Sequence, residues 1–203
     1  MSNDSLIEDP DGRLLGGAPG LPDEAFENDG LMTKRHIRST ALAHLRPLPG
    51  QLLWDLGIGA GSIAIEWCRA AAGARAIGIE KDEERAARAE RNAKRLTAPG
   101  VIQVVRGQIL ESLAGLPRPD AIFVGGGGND EVVERCVENL PPGGRLVAHG
   151  VTIEAELLCV AGKNRWGGDL HRVQVETAKP LGRLTGWQPA RTVIQWSLQL
   201  PAS

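Results

Sequence analysis

The sequence has few aromatic residues and no tyrosine: among its 203 residues are two Phe and five Trp. Alanine and the branched aliphatic residues must therefore fill most of the interior. With 42% hydrophobic residues, the chain has enough of them for one domain with a real core. The three cysteines, Cys68, Cys136 and Cys159, form no CxxC pair. This pattern predicts buried, reduced thiols in a cytoplasmic protein rather than a disulfide framework.

The sequence also lacks membrane and nucleic-acid signals. No apolar run approaches the ~20 residues that span a bilayer, and the polar, acidic first thirty residues predict no signal peptide. Those thirty residues carry eight acids and one base, whereas the rest of the chain carries 22 bases and 17 acids, a net charge of +5. This mild excess suits a polyanionic small molecule, but no basic stripe with interleaved aromatics indicates nucleic acid.

Strand and helix patterns alternate from about residue 34. Because parallel sheets are covered on both faces, this alternation predicts a Rossmann-like α/β fold with a mostly parallel sheet of seven strands. The last two strands have no helix between them and predict an antiparallel C-terminal hairpin. We expect one domain at 21–203, preceded by a flexible tail or interdomain linker over 1–20. The predicted strands are 51–56, 76–79, 101–105, 121–124, 145–149, 172–175 and 192–198.

A glycine-rich loop, DLGIGAG at residues 55–61, joins the first predicted strand to the following helix. Glycines at such a junction permit a tight turn and the close approach of a ligand. Glu80 ends the second predicted strand, where an acidic side chain binds ribose hydroxyls. Together these features predict an adenosine-containing cofactor. A plain strand-to-helix turn beside a solvated glutamate is the alternative.

The spacing and charge of this loop distinguish between cofactors. The dinucleotide fingerprint is GxGxxG, with a pyrophosphate on the helix N-terminus, whereas this loop reads GxGxG and has Ser62 three residues after Gly59. Asp55, two residues before the first glycine, would repel a pyrophosphate but suits a ligand that carries an ammonium and a sulfonium. S-adenosylmethionine (SAM) is such a ligand, so charge favours SAM over NAD.

With these motifs the sequence resembles the class I SAM-dependent methyltransferases. The DxGxGxG pattern at 55–61 matches their first motif and Glu80 their second. The segment LPPGGRLV at 140–147 is similar to the turn that precedes one of their strands. This likeness covers about residues 50–150.

Three further segments are more specific: GLPDEAF at 20–26, MTKRHIR at 32–38 and VGGGG at 124–128. They resemble the precorrin-6Y methyltransferase/decarboxylase family of corrin biosynthesis, of the CbiT type, which also forms the C-terminal half of a bifunctional enzyme. The resemblance implies methylation of a precorrin tetrapyrrole at carbon 15 and decarboxylation of its acetate side chain at carbon 12. It also implies a homotetramer, fused to or associated with a domain that methylates carbon 5.

The resemblance implies the site residues as well. Thr33 would contact SAM from the N-terminal segment, the glycine-rich loop would cradle the methionine part, and Glu80 would bind the ribose. Gln108 falls where many relatives have an Asp that faces the adenine amine, and its amide oxygen can accept that hydrogen bond. The residues assigned to SAM are Thr33, Asp55, Gly57, Ile58, Gly59, Ala60, Gly61, Glu80 and Gln108. Those assigned to the substrate are Arg38, Gly125, Gly126, Gly127, His149 and Arg183.

Four consecutive glycines, at 125–128, follow the fourth predicted strand. Methyltransferases that act on an amine nitrogen often carry Asn/Asp-Pro-Pro-aromatic here, and this chain offers no such carboxamide. We interpret the run as bare backbone under a flat, wide substrate whose carboxylates meet amide N–H groups. The alternative is a flexible loop that caps the next helix at Asn129 or Asp130.

The expected reaction is an SN2 transfer from the sulfonium to a ring carbon, in which the protein aligns the reactants and excludes water. Arg38, His149, Arg183 and Arg191 are candidates for holding substrate carboxylates. A surface salt bridge is the simpler explanation for each arginine taken alone, and a satisfied buried histidine is the alternative for His149. The four histidines form no HxH or HExxH pattern, so no metal is predicted. No catalytic acid or base is identified.

Other functions fit the same motifs. The chain would be a SAM methyltransferase acting on another small molecule, a protein or RNA if only the general motifs apply. A nucleotide-binding oxidoreductase is disfavoured by the loop spacing and Asp55. A non-catalytic SAM-binding protein or scaffold is the third alternative, because no catalytic acid or base stands out.

Overall fold

The protein, described over residues 7–8 and 14–202 by a computed structural model, is built on a central sheet of seven strands. In chain order, the strands are β1 (Ile7–Glu8), β2 (Leu14–Leu15), β3 (Leu52–Leu56), β4 (Arg75–Glu80), β5 (Ile102–Arg106), β6 (Ala121–Val124), β7 (Arg145–Gly150), β8 (Asp169–Val173), β9 (Glu176–Leu181), β10 (Leu184–Pro189) and β11 (Val193–Gln199). The helices are α1 (Arg35–Leu45), α2 (Ser62–Ala70), α3 (Glu83–Leu96), α4 (Ile109–Ser112), α5 (Asp130–Asn139) and α6 (Ile153–Trp166), with a 3-10 turn at Asp23–Ala25.

The strand order of the central sheet is β5-β4-β3-β6-β7-β11-β8. Strands β3 to β7 pair in parallel, and β11 lies antiparallel between β7 and β8. The prediction of a mostly parallel sheet with an antiparallel end is confirmed. From β3 the chain adds β4 and β5 on one side, and it then crosses over to add β6 and β7 on the other, so the switch point lies between β3 and β6. Ligands of open α/β sheets bind at the carboxyl ends of strands beside such a switch point.

Side chains alternate between the two faces of the sheet, as the pleat of a strand requires. Leu52, Trp54 and Leu56 of β3 pack on the face covered by α5 and α6. Leu53 packs on the opposite face, against α1 and α2. Helices therefore cover both faces, as predicted, and Asp55 shares the side of the sheet that faces α2.

The segment between β8 and β11 differs from the prediction. No strand was predicted between the last two predicted strands, but β9 and β10 form a separate antiparallel hairpin there, with Glu176 opposite Pro189 and Leu181 opposite Leu184. Nearly all of its residues are exposed. The hairpin has no buried face, so its sequence carries no alternation of apolar and polar residues by which to recognise strands.

The described part of the N-terminal segment packs on the domain. Leu15 is buried with Leu21 and Phe26 against α2 and α3. Arg69 donates hydrogen bonds to the carbonyls of Leu15, at 2.7 Å, and of Gly16, at 3.0 Å. The packed domain thus includes residues that were assigned to a flexible tail over 1–20, while positions 1–6 and 9–13 of that prediction lie outside the described residues.

Two features that the composition raised can be placed in this fold. All three cysteines are free, and burial raises the pKa of the Cys68 thiol to about 12, so it is not a reactive thiolate. Among the helices that the structure describes, none has the length and apolar character needed to cross a membrane.

Candidate cofactor and substrate site

The first glycine loop (residues 57–61) follows β3 at the switch point of the sheet. Its glycines Gly57, Gly59 and Gly61 have φ values of +73°, +55° and +78°, a region that side-chain-bearing residues rarely adopt. The N–H groups of Gly57 and Ile58 donate to the carbonyl of Ile79, at 2.9 and 3.0 Å. The loop is therefore a fixed turn held to the neighbouring strand β4.

The two non-glycine residues of the first glycine loop direct their side chains into the protein. Ile58 is buried and lies over Gly78, where an added Cβ would come within 2.1 Å of the Ile58 Cδ1 atom. Ala60 is also buried, among the residues that pack under the N-terminal segment. A ligand at this loop would thus meet its backbone, not these two side chains.

Glu80, the last residue of β4, connects the first glycine loop to the next turn. Its Oε2 atom accepts a hydrogen bond from the Gly59 N–H at 3.1 Å, and its Oε1 atom accepts one from the Asp82 N–H at 3.2 Å. Each carboxylate oxygen can accept a second bond. Glu80 therefore holds the loop and keeps acceptor capacity for hydroxyl groups of a ligand.

Asp55 lies one residue before the end of β3 and is 2% exposed. Its Oδ2 atom accepts a hydrogen bond from the Ala64 N–H, at 3.1 Å, in the first turn of α2. Burial raises the pKa of the Asp55 carboxyl to about 8; the Ala64 hydrogen bond lowers it and the Glu80 charge raises it further. A cation bound nearby would favour the ionised form and lower this pKa again.

Gln108 and Thr33 are the two remaining residues that the sequence assigned to the cofactor. Gln108 is exposed and directly precedes α4, and the adjacent Gly107 N–H donates to the Glu80 carbonyl at 3.0 Å. Thr33 is half-buried in the N-terminal segment and lines a cavity together with Gly125. Gln108 thus lies at the same sheet edge as Glu80, and Thr33 lies at the larger cavity.

The second glycine loop (residues 125–128) follows β6 and touches the first. A Cβ added to Gly57 would lie 2.7 Å from the Gly126 carbonyl oxygen, so the two backbones are in contact at that point. A Cβ added to Gly126 itself would meet no atom of the described residues within 4 Å. Gly126 is thus the one position in this loop where neither a positive φ nor packing within the described residues explains the glycine.

The other glycines of this loop have internal reasons. A Cβ on Gly125 would lie 2.8 Å from the Phe123 ring, and one on Gly128 would lie 2.9 Å from Val124 Cγ1. Gly127 has a φ of +70°. The predicted helix cap is also present, since the Asn129 side chain accepts a hydrogen bond from the Val132 N–H at 2.8 Å. The loop therefore combines close packing and a helix cap with one open position.

A cavity of about 850 Å³ opens beside Gly125. Its walls come from the N-terminal segment, from strand β9 and from the chain on either side of the β9–β10 hairpin. The lining contains four bases and two acids, which are Lys34, Arg35, Lys179, Arg191, Asp23 and Glu24, together with His36. Of the four bases only Arg191 was a sequence candidate; Lys34 and Arg35 lie in the MTKRHIR segment, which could have signalled them, and Lys179 lies in the unpredicted hairpin.

A second cavity of about 650 Å³ lies between the second glycine loop and the beginning of α6. The two cavities share Gly125, His149 and Val151. The predicted substrate glycines Gly126 and Gly127 line this second cavity. The three glycines predicted to face the substrate, Gly125, Gly126 and Gly127, thus lie at or next to the place where the two cavities meet.

His149 stands at that junction, half-buried near the end of β7. Its Nε2 atom lies 2.9 Å from the Gln195 Oε1 atom, which is also 3.0 Å from the Thr40 hydroxyl. The imidazole meets the edge of the Phe123 ring, with the centroids 5.0 Å apart. Burial lowers the pKa of His149 to about 4, although the Gln195 hydrogen bond opposes this. The imidazole is therefore neutral at pH 7 and not a cation for a carboxylate.

The structure corrects the assignment of Arg38 to the substrate. Its side chain is fully buried, and its guanidinium forms ion pairs with Asp23 and Glu66, each at 2.7 Å. It also donates to the carbonyls of Thr33, at 2.6 Å, and of Leu21. With four of its five N–H groups in use and none at the surface, Arg38 holds the N-terminal segment rather than a ligand.

The structure does not bring Arg183 to the other predicted substrate residues. Arg183 is exposed in the turn between β9 and β10, and it belongs to the lining of neither cavity. The opposite end of the hairpin, near Arg191, is the end that faces the larger cavity. Within the described ranges, no three His, Cys, Asp or Glu side chains are grouped so that they could hold a metal ion.

Comparison with known proteins adds the family. Residues 24–200 match the model of the precorrin methyltransferase domain. The precorrin-6Y C(5,15)-methyltransferase [decarboxylating] of Sinorhizobium sp is 48% identical over 193 residues, which is 95% of this chain and 46% of that protein. The chain therefore spans about half the length of such curated relatives.

Two further relatives are matched over most of their length. The probable cobalt-precorrin-6B C(15)-methyltransferase (decarboxylating) of Pyrobaculum calidifontis is 37% identical, over 79% of this chain and 85% of its own. The crystal structure of the C-terminal domain of precorrin-6Y C5,15-methyltransferase from Rhodobacter capsulatus superposes with a TM-score of 0.86. It is 42% identical, over 91% of this chain and 100% of its own. The chain belongs to the precorrin methyltransferase domain family.

Proposed function

We propose that this chain is a SAM-dependent C-methyltransferase of corrin biosynthesis, which methylates carbon 15 of a precorrin and decarboxylates the acetate side chain at carbon 12. The observation that carries the proposal is the contact of the two glycine loops at the switch point, with Glu80 on one side and the open Gly126 on the other. Membership of the precorrin methyltransferase domain family supports a precorrin as the substrate.

The residues around the first glycine loop fit SAM. Glu80 retains acceptor capacity for ribose hydroxyls, and Asp55 is a buried carboxyl whose charge a nearby ammonium or sulfonium would stabilise. A pyrophosphate would instead face two carboxyl groups across the same loop. We propose that Thr33, Asp55, Glu80, Gln108 and the backbone of residues 57–61 hold SAM, which supplies a methyl group on a positively charged sulfur.

The larger cavity fits a polyanionic substrate. Its volume of about 850 Å³ lies within the range of small-molecule sites. Bases outnumber acids in its lining, and Asp23 is already paired with Arg38. We propose that Lys34, Lys179 and Arg191 receive substrate carboxylates, in place of Arg38 and Arg183.

The part of this chain in the reaction is then alignment and exclusion of water. We propose that the flat macrocycle extends from the larger cavity past the shared Gly125 to the open backbone at Gly126 in the second cavity, and that neutral His149 offers a hydrogen-bonding nitrogen where the two cavities meet. SAM, when bound, would supply the methyl group, and these residues would hold it and the ring carbon in position. Loss of carbon dioxide would leave its bonding electrons in the conjugated macrocycle, and a proton taken from water would complete the side-chain methyl group, so no metal or Schiff-base lysine is needed.

We also propose a cytoplasmic homotetramer that works with a carbon 5 methyltransferase domain, fused or separate. The β9–β10 hairpin supports self-association, since Leu181, Leu184 and Trp187 are 70%, 78% and 73% exposed. Large exposed apolar side chains on one element are typical of an interface. Light scattering on wild type and Trp187→Ser tests this: we expect a tetramer that the substitution weakens, and a wild-type monomer would contradict it.

Ligand-dependent melting tests the cofactor. Because a ligand that binds the native state raises its melting temperature, S-adenosylhomocysteine should raise it and NADH should not. Incubation with a precorrin-6-type substrate and methyl-labelled SAM then tests the reaction. We expect label uptake with release of carbon dioxide. Methylation without carbon dioxide would refute the decarboxylase, and a melting shift with NADH alone would refute the methyltransferase.

A further inference from the structure

Asn92, in the middle of α3, is a completely buried amide with an unusual set of partners. Its Nδ2 atom donates to the carbonyls of Glu27 and Ala60, both at 2.9 Å. Its Oδ1 atom accepts from the Glu27 N–H at 2.9 Å and from the Arg95 guanidinium at 3.1 Å. An amide has two donor protons and two acceptor positions, so Asn92 uses its full capacity.

These bonds join two segments that are far apart in sequence. Ala60 belongs to the first glycine loop, whereas Glu27 lies in the N-terminal strap, a name used here for residues 21–33. The Ala60 side chain also packs with Leu21 and Phe26 of the strap. The loop and the strap are thus held together by hydrogen bonds through Asn92 and by apolar packing through Ala60.

The strap reaches from this contact to the larger cavity. Arg38 binds the carbonyls of Leu21 and Thr33, close to the two ends of the strap. Strap residues at 22–24 and 30–33 line the cavity. One face of the strap therefore contacts the proposed SAM loop, while the other forms a wall of the proposed substrate cavity.

We propose that Asn92 is a positioning residue that couples the first glycine loop to the N-terminal strap, so that cofactor binding at the loop orders the wall of the substrate cavity. The cofactor part rests on the proposed function. Because coupling between two sites is reciprocal, a strap held in place also favours cofactor binding. Without the Asn92 amide, the Ala60 and Glu27 carbonyls lose their partner in a buried place, and the two segments move independently.

Asn92→Ala tests the proposal, with Arg95→Ala as a matched control. Arg95 donates to the strap carbonyl of Ala25, at 2.6 Å, and to Asn92, but has no bond to the glycine loop. In the ligand-free protein we expect Asn92→Ala to speed amide hydrogen exchange in residues 59–61 at least tenfold, and Arg95→Ala to leave it within about threefold. Equal exchange in the loop of both variants would overturn the proposal.

A second measurement follows the coupling itself. In wild type, S-adenosylhomocysteine should slow exchange both in the loop and in the strap. In Asn92→Ala it should bind at least tenfold more weakly by calorimetry and protect the loop only. Protection of the strap that survives in Asn92→Ala would refute the coupling. If wild type binds no S-adenosylhomocysteine, the proposed cofactor is wrong, and the ligand-free exchange still decides the role of Asn92. Asn92→Ser, which keeps one donor, replaces Asn92→Ala if that variant does not fold, with the same order of effects expected.

Discussion

The two glycine loops meet at the switch point of the sheet but need their glycines for different reasons. In the first, all three glycines have positive φ, and the Gly126 carbonyl excludes a side chain at Gly57. In the second, only Gly127 has positive φ, and Gly126 faces open space. The first loop is thus shaped by its own backbone and its neighbour, whereas the second leaves one position, Gly126, at which nothing in the described residues requires a glycine.

The largest loss of stability is expected for Gly57→Ala. The new Cβ combines a positive φ with an approach of 2.7 Å to a backbone oxygen, which cannot rotate away. We expect a loss of about 2 to 3 kcal/mol in the free energy of unfolding, measured in urea.

Gly59→Ala is the matched control for this substitution. It has a φ of +55°, but its Cβ would have no contact closer than 3.8 Å, so only the strain term of about 1 kcal/mol applies. Equal losses in the two variants would show that the contact between the loops is not what requires Gly57.

Asp55→Asn tests the protonation state of the buried carboxyl at the base of the first loop. Since the folded-state pKa is raised to about 8 from an ordinary value of 3.8, the folded state binds the extra proton between these values, and wild-type stability falls as pH rises through this window. Asparagine does not titrate and can still accept from Ala64. Unfolding in urea from pH 5 to 9 should therefore show the variant gaining on wild type by up to about 1.4 kcal/mol per pH unit. Parallel profiles would contradict a buried neutral Asp55.

His149→Gln tests, at acidic pH, whether the imidazole beside the second glycine loop stays neutral in the folded protein. The folded-state pKa is lowered to about 4 from 6.5, so the unfolded state binds the extra proton and wild-type stability falls as pH drops from about 6.5 to about 4. The variant lacks this contribution, and we expect it to gain about 2 kcal/mol on wild type between pH 6.5 and 4.5 in urea unfolding. A gap that stays constant with pH would mean that His149 is accessible to protons in the folded state.

Gly126→Ala should have the smallest effect on stability. With no positive φ and no described atom near the new Cβ, we expect a change within about 0.5 kcal/mol. Turnover of the precorrin substrate should nevertheless fall about tenfold, because the methyl group stands where the macrocycle approaches. A Gly126→Ala variant that is as unstable as Gly57→Ala, or that turns over normally, would remove the distinction between the loops.

The sequence was most informative at positions where a single physical requirement determines the type of residue. Three glycines lie between a strand and a helix, and Glu80 ends the next strand. This pattern predicted that the glycine loop and Glu80 meet at one edge of the sheet, and the structure places them there. The apolar runs predicted β3, β4, β6, β7 and β11 because a strand buried on both faces admits few polar residues, whereas the edge strands β5 and β8 are partly exposed.

Residues whose roles depend on distant partners were harder to predict. Arg38 in the MTKRHIR segment has the composition of a ligand contact, but Glu66 and Asp23, from two other segments, neutralise it in the interior. Asn92 was overlooked in a charged helix, although it shares the buried face of α3 with Ala89 and Ala93. A polar residue on an otherwise apolar helical face was the available signal.

A structure of the protein crystallised with S-adenosylhomocysteine tests the central claim most directly. The account predicts the ribose hydroxyls on the free acceptor positions of Glu80, the amino-acid part against the backbone of residues 57–61, and the sulfur directed toward Gly126. A first glycine loop that stays empty at saturating ligand, or that takes up a diphosphate when NADH is added, would contradict it.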